Sequence, residues 1–131
     1  MPETGPILFT LEHAQRVLAR IRPAVAEMVR ASRELQVLAP SVRRVSDRLA
    51  RNGGSRPSAA MVSLMGSLQR ALVTIQSEGV LVKDVARGLL DFPALRDGRV
   101  VLLCWMHGEV EIGFWHEEYA GLPGRQPLDG I

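Results

Sequence analysis

The sequence predicts an α+β fold: a long, kinked, antiparallel helical hairpin of coiled-coil character, packed with a C-terminal three-stranded antiparallel β meander. Three observations predict it. Apolar residues recur at alternating steps of three and four through Leu18, Ile21, Val25, Met28, Ser32 and Leu35. The run Asn52-Gly53-Gly54-Ser55-Arg56-Pro57 then interrupts the pattern. From Val80 onward the period falls to two. With 131 residues, 47% of them apolar, the chain makes one domain that can bury a core without disulfides or a structural metal.

Residues 1–9 hold Pro2, Gly5 and Pro6 and predict a loose lead-in. Thr10 is placed to cap a helix starting at Leu11, with Glu12 favouring the positive end of its dipole. That helix should run to Arg51, with Val42, Val45 and Leu49 resuming the stripe. Pro23 and Pro40 each remove a backbone donor, so a kink is expected near 19–23 and a kink or short break near 36–40. Ser58 caps a second helix whose buried face is Met61, Leu64, Met65, Leu68, Leu72 and Ile75, and Gly79 ends it. Being shorter, it should cover only the later half of the first helix, leaving Leu11 to Met28 for the sheet or another subunit. The hairpin spans 11–78, the meander 80–117 and a Gly/Pro-rich tail 118–131.

Val80–Asp84 and Leu89–Ala94 read as strand, followed by Arg99–Met106 and Val110–Glu117, with Asp97-Gly98 and His107-Gly108 as two-residue turns. Those turns set an expected register. Trp105 faces Val110, Leu103 faces Ile112, Val101 faces Phe114 and Arg99 faces His116, with Leu90, Phe92 and Ala94 on the same inner face. The outer face would then carry Leu102, Met106 and Trp115 together. That is an apolar patch fit for a partner or second subunit.

Candidate sites follow from this register. Asp91, Cys104 and Glu111 form a row across the outer face, able to hold a divalent cation or to be a polar stripe only; a flat sheet lacks the concavity of metal sites, so no metal is assigned. Cys104, His107 and His116 do not converge, because about 30 Å of strand at ~3.3 Å per residue separates the two histidines. At the other end Arg99, His116, Glu117 and Arg125 gather, and with Trp105 and Trp115 they make a candidate set for a small molecule or anion. A capped strand end in which Arg99 and His116 pair is the plainer reading. No Ser/His/Asp arrangement, phosphate loop or HExxH motif is present, and neither a catalytic residue nor a cofactor is assigned.

Charge and cysteine use bound the setting. Residues 1–56 carry ten Arg against five acidic groups, and residues 57–131 six basic against nine acidic. The arginines of the first helix (16, 20, 30, 33, 44, 48 and 51) lie broadly opposite the apolar stripe. Glu27, Glu34 and Asp47 interrupt them and few aromatics accompany them, which speaks against a nucleic-acid surface. A single cysteine, no signal peptide in residues 1–10 and no apolar run near the ~20 residues of a membrane span point to the cytoplasm and no membrane partner.

The motifs Phe9-Thr10-Leu11-Glu12, Gly88-Leu89-Leu90-Asp91-Phe92-Pro93-Ala94, Leu103-Cys104-Trp105, Gly108-Glu109, Ile112-Gly113-Phe114-Trp115-His116-Glu117 and Gly124-Arg125-Gln126-Pro127 cover nearly the whole chain. In these the sequence resembles a family of bacterial and archaeal proteins catalogued as domain of unknown function 2203. The resemblance implies a small helical hairpin joined to a β meander and transfers no catalytic role. The functional expectation is a non-enzymatic, homodimeric interaction or assembly module with a possible protein partner. A small-molecule or anion-binding protein and a basic nucleic-acid-associated protein are the alternatives.

Overall fold

The computed structural model describes the backbone of residues 7–52 and 58–128, with side chains for 7–38 and 58–128. Residues 1–6, the turn at 53–57, the last residues of the tail, 129–131, and the side chains of Val42, Val45, Leu49 and of arginines 44, 48 and 51 lie outside that description. Helix α1 spans Leu11–Asn52 and α2 spans Ala59–Gln76. Five strands follow: β1 (Leu81–Asp84), β2 (Leu89–Arg96), β3 (Arg99–Met106), β4 (Phe114–Glu117) and β5 (Gln126–Pro127), in one antiparallel sheet of order β1-β2-β3-β4-β5. The sheet has five strands where the sequence predicts a three-stranded meander, with β1 and β5 at its two edges.

Both helix starts form as their sequences require. Thr10 Oγ1 accepts from the His13 amide at 3.0 Å and Ser58 Oγ from the Met61 amide at 3.1 Å, satisfying donors that a helix leaves free in its first turn. Helix α1 is a single element of 42 residues through both Pro23 and Pro40, so of the kink or short break expected near 36–40 the break does not occur. At ~1.5 Å per residue it is about 63 Å long, against about 27 Å for the 18 residues of α2. Phe9, just before the helix, is tied down: it bridges Ala94, its amide donates to the Pro93 carbonyl at 2.7 Å, and its ring meets Phe92 edge-on at 5.3 Å.

The core lies between the helices and one face of the sheet. Ala14, Val17, Leu18, Ile21, Val25, Met28 and Val29 of α1 join Ala71 and Ile75 of α2 over Leu90, Phe92, Ala94, Val101, Leu103, Trp105 and Trp115. Thus the first half of α1 does pack on the sheet. Arg20, however, pairs with Glu78 just beyond α2, so α2 ends beside the early part of α1, not its later half. Met65 also departs from expectation, being 52% exposed while Leu64 and Ile75 are buried.

The β2–β3 hairpin has the expected register, from Arg96↔Arg99 to Leu89↔Met106. Asp97 (φ 52°) and Gly98 (φ 79°) both take the left-handed conformation that a twisted two-residue turn needs. The β3–β4 register is a correction. Leu103 pairs with Trp115, Leu102 with His116, Cys104 with Phe114 and Val101 with Glu117, three residues away from the expected pairing. The cause is the segment 109–113. The His107-Gly108 turn closes by a Glu109 amide to Met106 carbonyl bond of 2.9 Å, but the chain then leaves β3. Gln15 on α1 takes the place of a strand partner: its amide donates to the Ile112 carbonyl and accepts from the Ile112 amide, each at 3.1 Å. Arg22 bonds the Val110 carbonyl. An odd shift reverses which side chains face inward.

Candidate functional site

That reversal composes the outer face of the sheet. Trp115 turns into the core at 6% exposure, and Leu102 is buried at 3%, so the expected open patch of Leu102, Met106 and Trp115 does not exist. Glu111 falls in the exposed excursion and leaves the row with Asp91 and Cys104. His116 takes its place. Asp91 on β2 stands opposite Cys104 on β3, and His116 on β4 stands opposite Leu102, one diagonal step away. The ligand-capable atoms of Asp91, Cys104 and His116 all lie within 4.8 Å of one another. Their residues are 1%, 0% and 3% exposed.

Hydrogen bonding fixes how this cluster carries its protons. The His116 Nδ1 lies 2.7 Å from the Glu117 carbonyl oxygen, which can only accept, so Nδ1 holds a hydrogen. The Nε2 lies 3.0 Å from Asp91 Oδ1, so imidazole and carboxyl share one further proton between them. Burial foremost, then the Asp91 carboxylate, pushes the Cys104 thiol up to about 12. Cys104 is therefore a protonated thiol at neutral pH and is not set up as a nucleophile.

Over this cluster lies a second polar group. Arg125 Nη2 donates to both carboxylate oxygens of Glu109, at 2.7 and 2.9 Å, and its guanidinium stacks on Phe114 at 3.9 Å. Phe114 is the cross-strand neighbour of Cys104. The Nε of Arg125 is buried without an acceptor among the described residues.

The other residues singled out in the sequence are dispersed. Arg99 forms an exposed ion pair with Glu117 instead of pairing with His116. Trp105 is a core residue whose indole donates to the Glu109 carbonyl at 3.1 Å. Trp115 lies under the Arg96 guanidinium, 4.3 Å from its ring centre, and lines an open cleft of about 290 Å³ with Phe9 and Arg96. Arg99, His116, Glu117 and Arg125 do not line that cleft. The six-residue ligand set is thus divided among a sheet end, the core and the outer face. Sequence reading missed the Asp91–His116 contact and the role of Gln15; the one available signal was that Glu109–Gly113 holds two residues of weak strand propensity beside Gly113 itself.

The helical hairpin offers a different surface. Helix α2 contains one charged residue, Arg70, which reaches Ser67. Opposite its buried Leu64, Ala71 and Ile75, it exposes Val62 (55%) and Val73 (54%) beside Met65. Ala59, Val62, Gly66, Gln69, Val73 and Gln76 recur there at steps of three and four, the spacing of a coiled-coil seam. Helix α1 is charged by contrast, but Arg16, Arg20 and Arg30 are paired with Glu12, Glu78, and Glu27 with Glu34. Among the described residues no helix is long and apolar enough to cross a membrane.

A model of the family described as "Uncharacterized conserved protein (DUF2203)" matches residues 7–128. No curated protein and no solved structure matches the chain.

Proposed function

This chain belongs to the DUF2203 family, and from that premise we propose that it is a non-enzymatic interaction module that forms a cytoplasmic homodimer through the outer face of α2. The observation that carries this reading is an 18-residue helix with one charge and apolar residues on both sides. A helix facing water on one side normally puts charged and polar residues there. Half-exposed Val62, Met65 and Val73 lose water-exposed apolar surface only if something covers them.

A second copy fits that stripe better than a different protein. The seam positions themselves carry no ionisable side chain, and across a two-fold axis each residue finds its own counterpart or near neighbour; Arg70, whose guanidinium lies against Gly66, is the one charge at the edge of the face. Seam position Ala59 is small and exposed, which lets two backbones approach there, and the three-four spacing suits a left-handed crossing near 20°. Two hairpins joined in this way form a four-helix layer with the sheets outside. The former support for a dimer, an apolar outer sheet face, is gone; the hairpin supplies it instead. The ligand-binding alternative is weakened by the dispersal of its residues, and the nucleic-acid alternative by the carboxylate partners of Arg16, Arg20 and Arg30.

The test is the mass in solution by size-exclusion with light scattering, for the wild type and for Val62→Glu with Val73→Glu. A concentration-dependent dimer that the double variant abolishes, with its circular dichroism unchanged, is the expected result. A wild type that stays monomeric at millimolar chain concentration overturns the reading.

A further inference from the structure

The geometry points to a second property, independent of dimerisation: Asp91, Cys104 and His116 form a buried binding site for one divalent cation of the zinc class. Three adjacent strands supply one ligand each, so the donors are set by the sheet and not by mobile loops. A carboxylate oxygen, a sulfur and an imidazole nitrogen are the three donor types that zinc takes from proteins. Bond lengths of ~2.0–2.3 Å at tetrahedral angles put such donors about 3.3–3.6 Å apart. Here they lie within 4.8 Å, with His116 Nε2 and Asp91 Oδ1 at 3.0 Å. Admitting the ion means parting that pair by a few tenths of an ångström and drawing the widest pair, at up to 4.8 Å, together by about an ångström.

The imidazole is already oriented for coordination. Its Nδ1–H is held by the Glu117 carbonyl at 2.7 Å, which leaves Nε2 facing Asp91 and Cys104. A second-shell carbonyl on one ring nitrogen is the arrangement that aims the other at a metal. The charges of the loaded site also close: a thiolate, a carboxylate and a neutral imidazole around M²⁺ sum to zero, so the low-dielectric interior holds no net charge. Among the described residues no fourth His, Cys, Asp or Glu joins the cluster, so a fourth position falls to water.

Cobalt(II) is the first probe, because its thiolate charge-transfer band in the near ultraviolet has only one possible source in a chain whose single cysteine is Cys104. Metal-free full-length protein titrated with Co²⁺ should develop that band together with tetrahedral d–d absorption, saturating at one equivalent per chain, and Zn²⁺ should displace it. Cys104→Ser and Asp91→Asn should each weaken Zn²⁺ binding by about 100-fold or more, whereas His107→Gln and His13→Gln should leave it unchanged. Absence of the band in folded wild type overturns the site, as does binding that survives Cys104→Ser but is lost in His107→Gln. Should either cluster variant fail to fold, the wild-type Co²⁺ spectrum alone decides, since it requires no substitution.

Discussion

Replacing Asp91 by Val in metal-free buffer should destabilise the chain by about 3–5 kcal/mol, the range for stranding one member of a buried hydrogen-bonded pair. The structure sets this magnitude. His116 is 3% exposed and Asp91 1%, so after the substitution His116 Nε2 finds neither its partner at 3.0 Å nor solvent. The Cys104 thiol also loses the carboxylate that lies beside it. Leu at His116 should cost a similar amount for the mirror reason. The double variant, Asp91→Val with His116→Leu, removes both polar groups at once and should lie within about 1–2 kcal/mol of wild type, because apolar replacement of a whole pair is often nearly neutral. The assay is urea denaturation with EDTA present. For a slope near ~2 kcal/mol/M, the single variants should shift the midpoint down by about 2 M. Single variants that move it by less than about 0.5 M, or a double variant as unstable as the two singles added, would refute the burial argument and with it the β3–β4 register.

Two further outcomes test the rest of the framework. Gln15→Leu strands both the amide and the carbonyl of Ile112, a residue 3% exposed, and should lower stability by about 2–4 kcal/mol while raising hydrogen exchange at the Ile112 amide above that of β3; an unchanged exchange rate would show that Gln15 does not hold the excursion. On α1, the Arg30 hydrogen bond holds the Glu27 carboxyl below its usual 4.5. A depressed carboxyl contributes stability that is present above about 4.5 and lost as pH falls through the lowered value. The deficit of Arg30→Ala should therefore be largest at neutral pH, shrink in acid and shrink in high salt, and a deficit equal at pH 7 and pH 3 would contradict the assignment.

The parts of this fold that were legible in the sequence are those decided by local chemistry. Thr10 and Ser58 mark helix starts because a hydroxyl there satisfies a free amide within three residues. Asp97-Gly98 sets the β2–β3 register because only a left-handed pair closes that turn. Opposition of Asp91 and Cys104 followed directly. What stayed hidden depended on a distant residue. The weak strand propensity of Glu109–Gly113 hints that the ladder fails there, but no nearby residue names Gln15, 97 positions from Ile112, as the group that bonds the Ile112 backbone. That single tertiary contact moved Glu111 away from Asp91, put His116 in its place, and turned Trp115 from a surface residue into a core one.

The same shift separates the two proposed properties in space, and so makes them separable in experiment. The helices pack on the sheet face that holds Leu90, Phe92, Leu103 and Trp115. Asp91, Cys104 and His116 project from the opposite face. Val62 and Val73 lie on the side of α2 opposite its buried Leu64, Ala71 and Ile75, so the core that these residues join lies between the seam and the cluster. Residues this far apart, with no shared partners, act on stability almost additively. A metal that binds only the folded chain stabilises it by mass action, whatever its oligomeric state. Dimer loss in the Val62→Glu, Val73→Glu variant should accordingly leave the cobalt stoichiometry at one per chain, and Cys104→Ser should leave the dimer constant where it was. Coupling between the two would mean that the seam lies on the sheet and not on α2, since only an interface touching the outer face could sense the cluster.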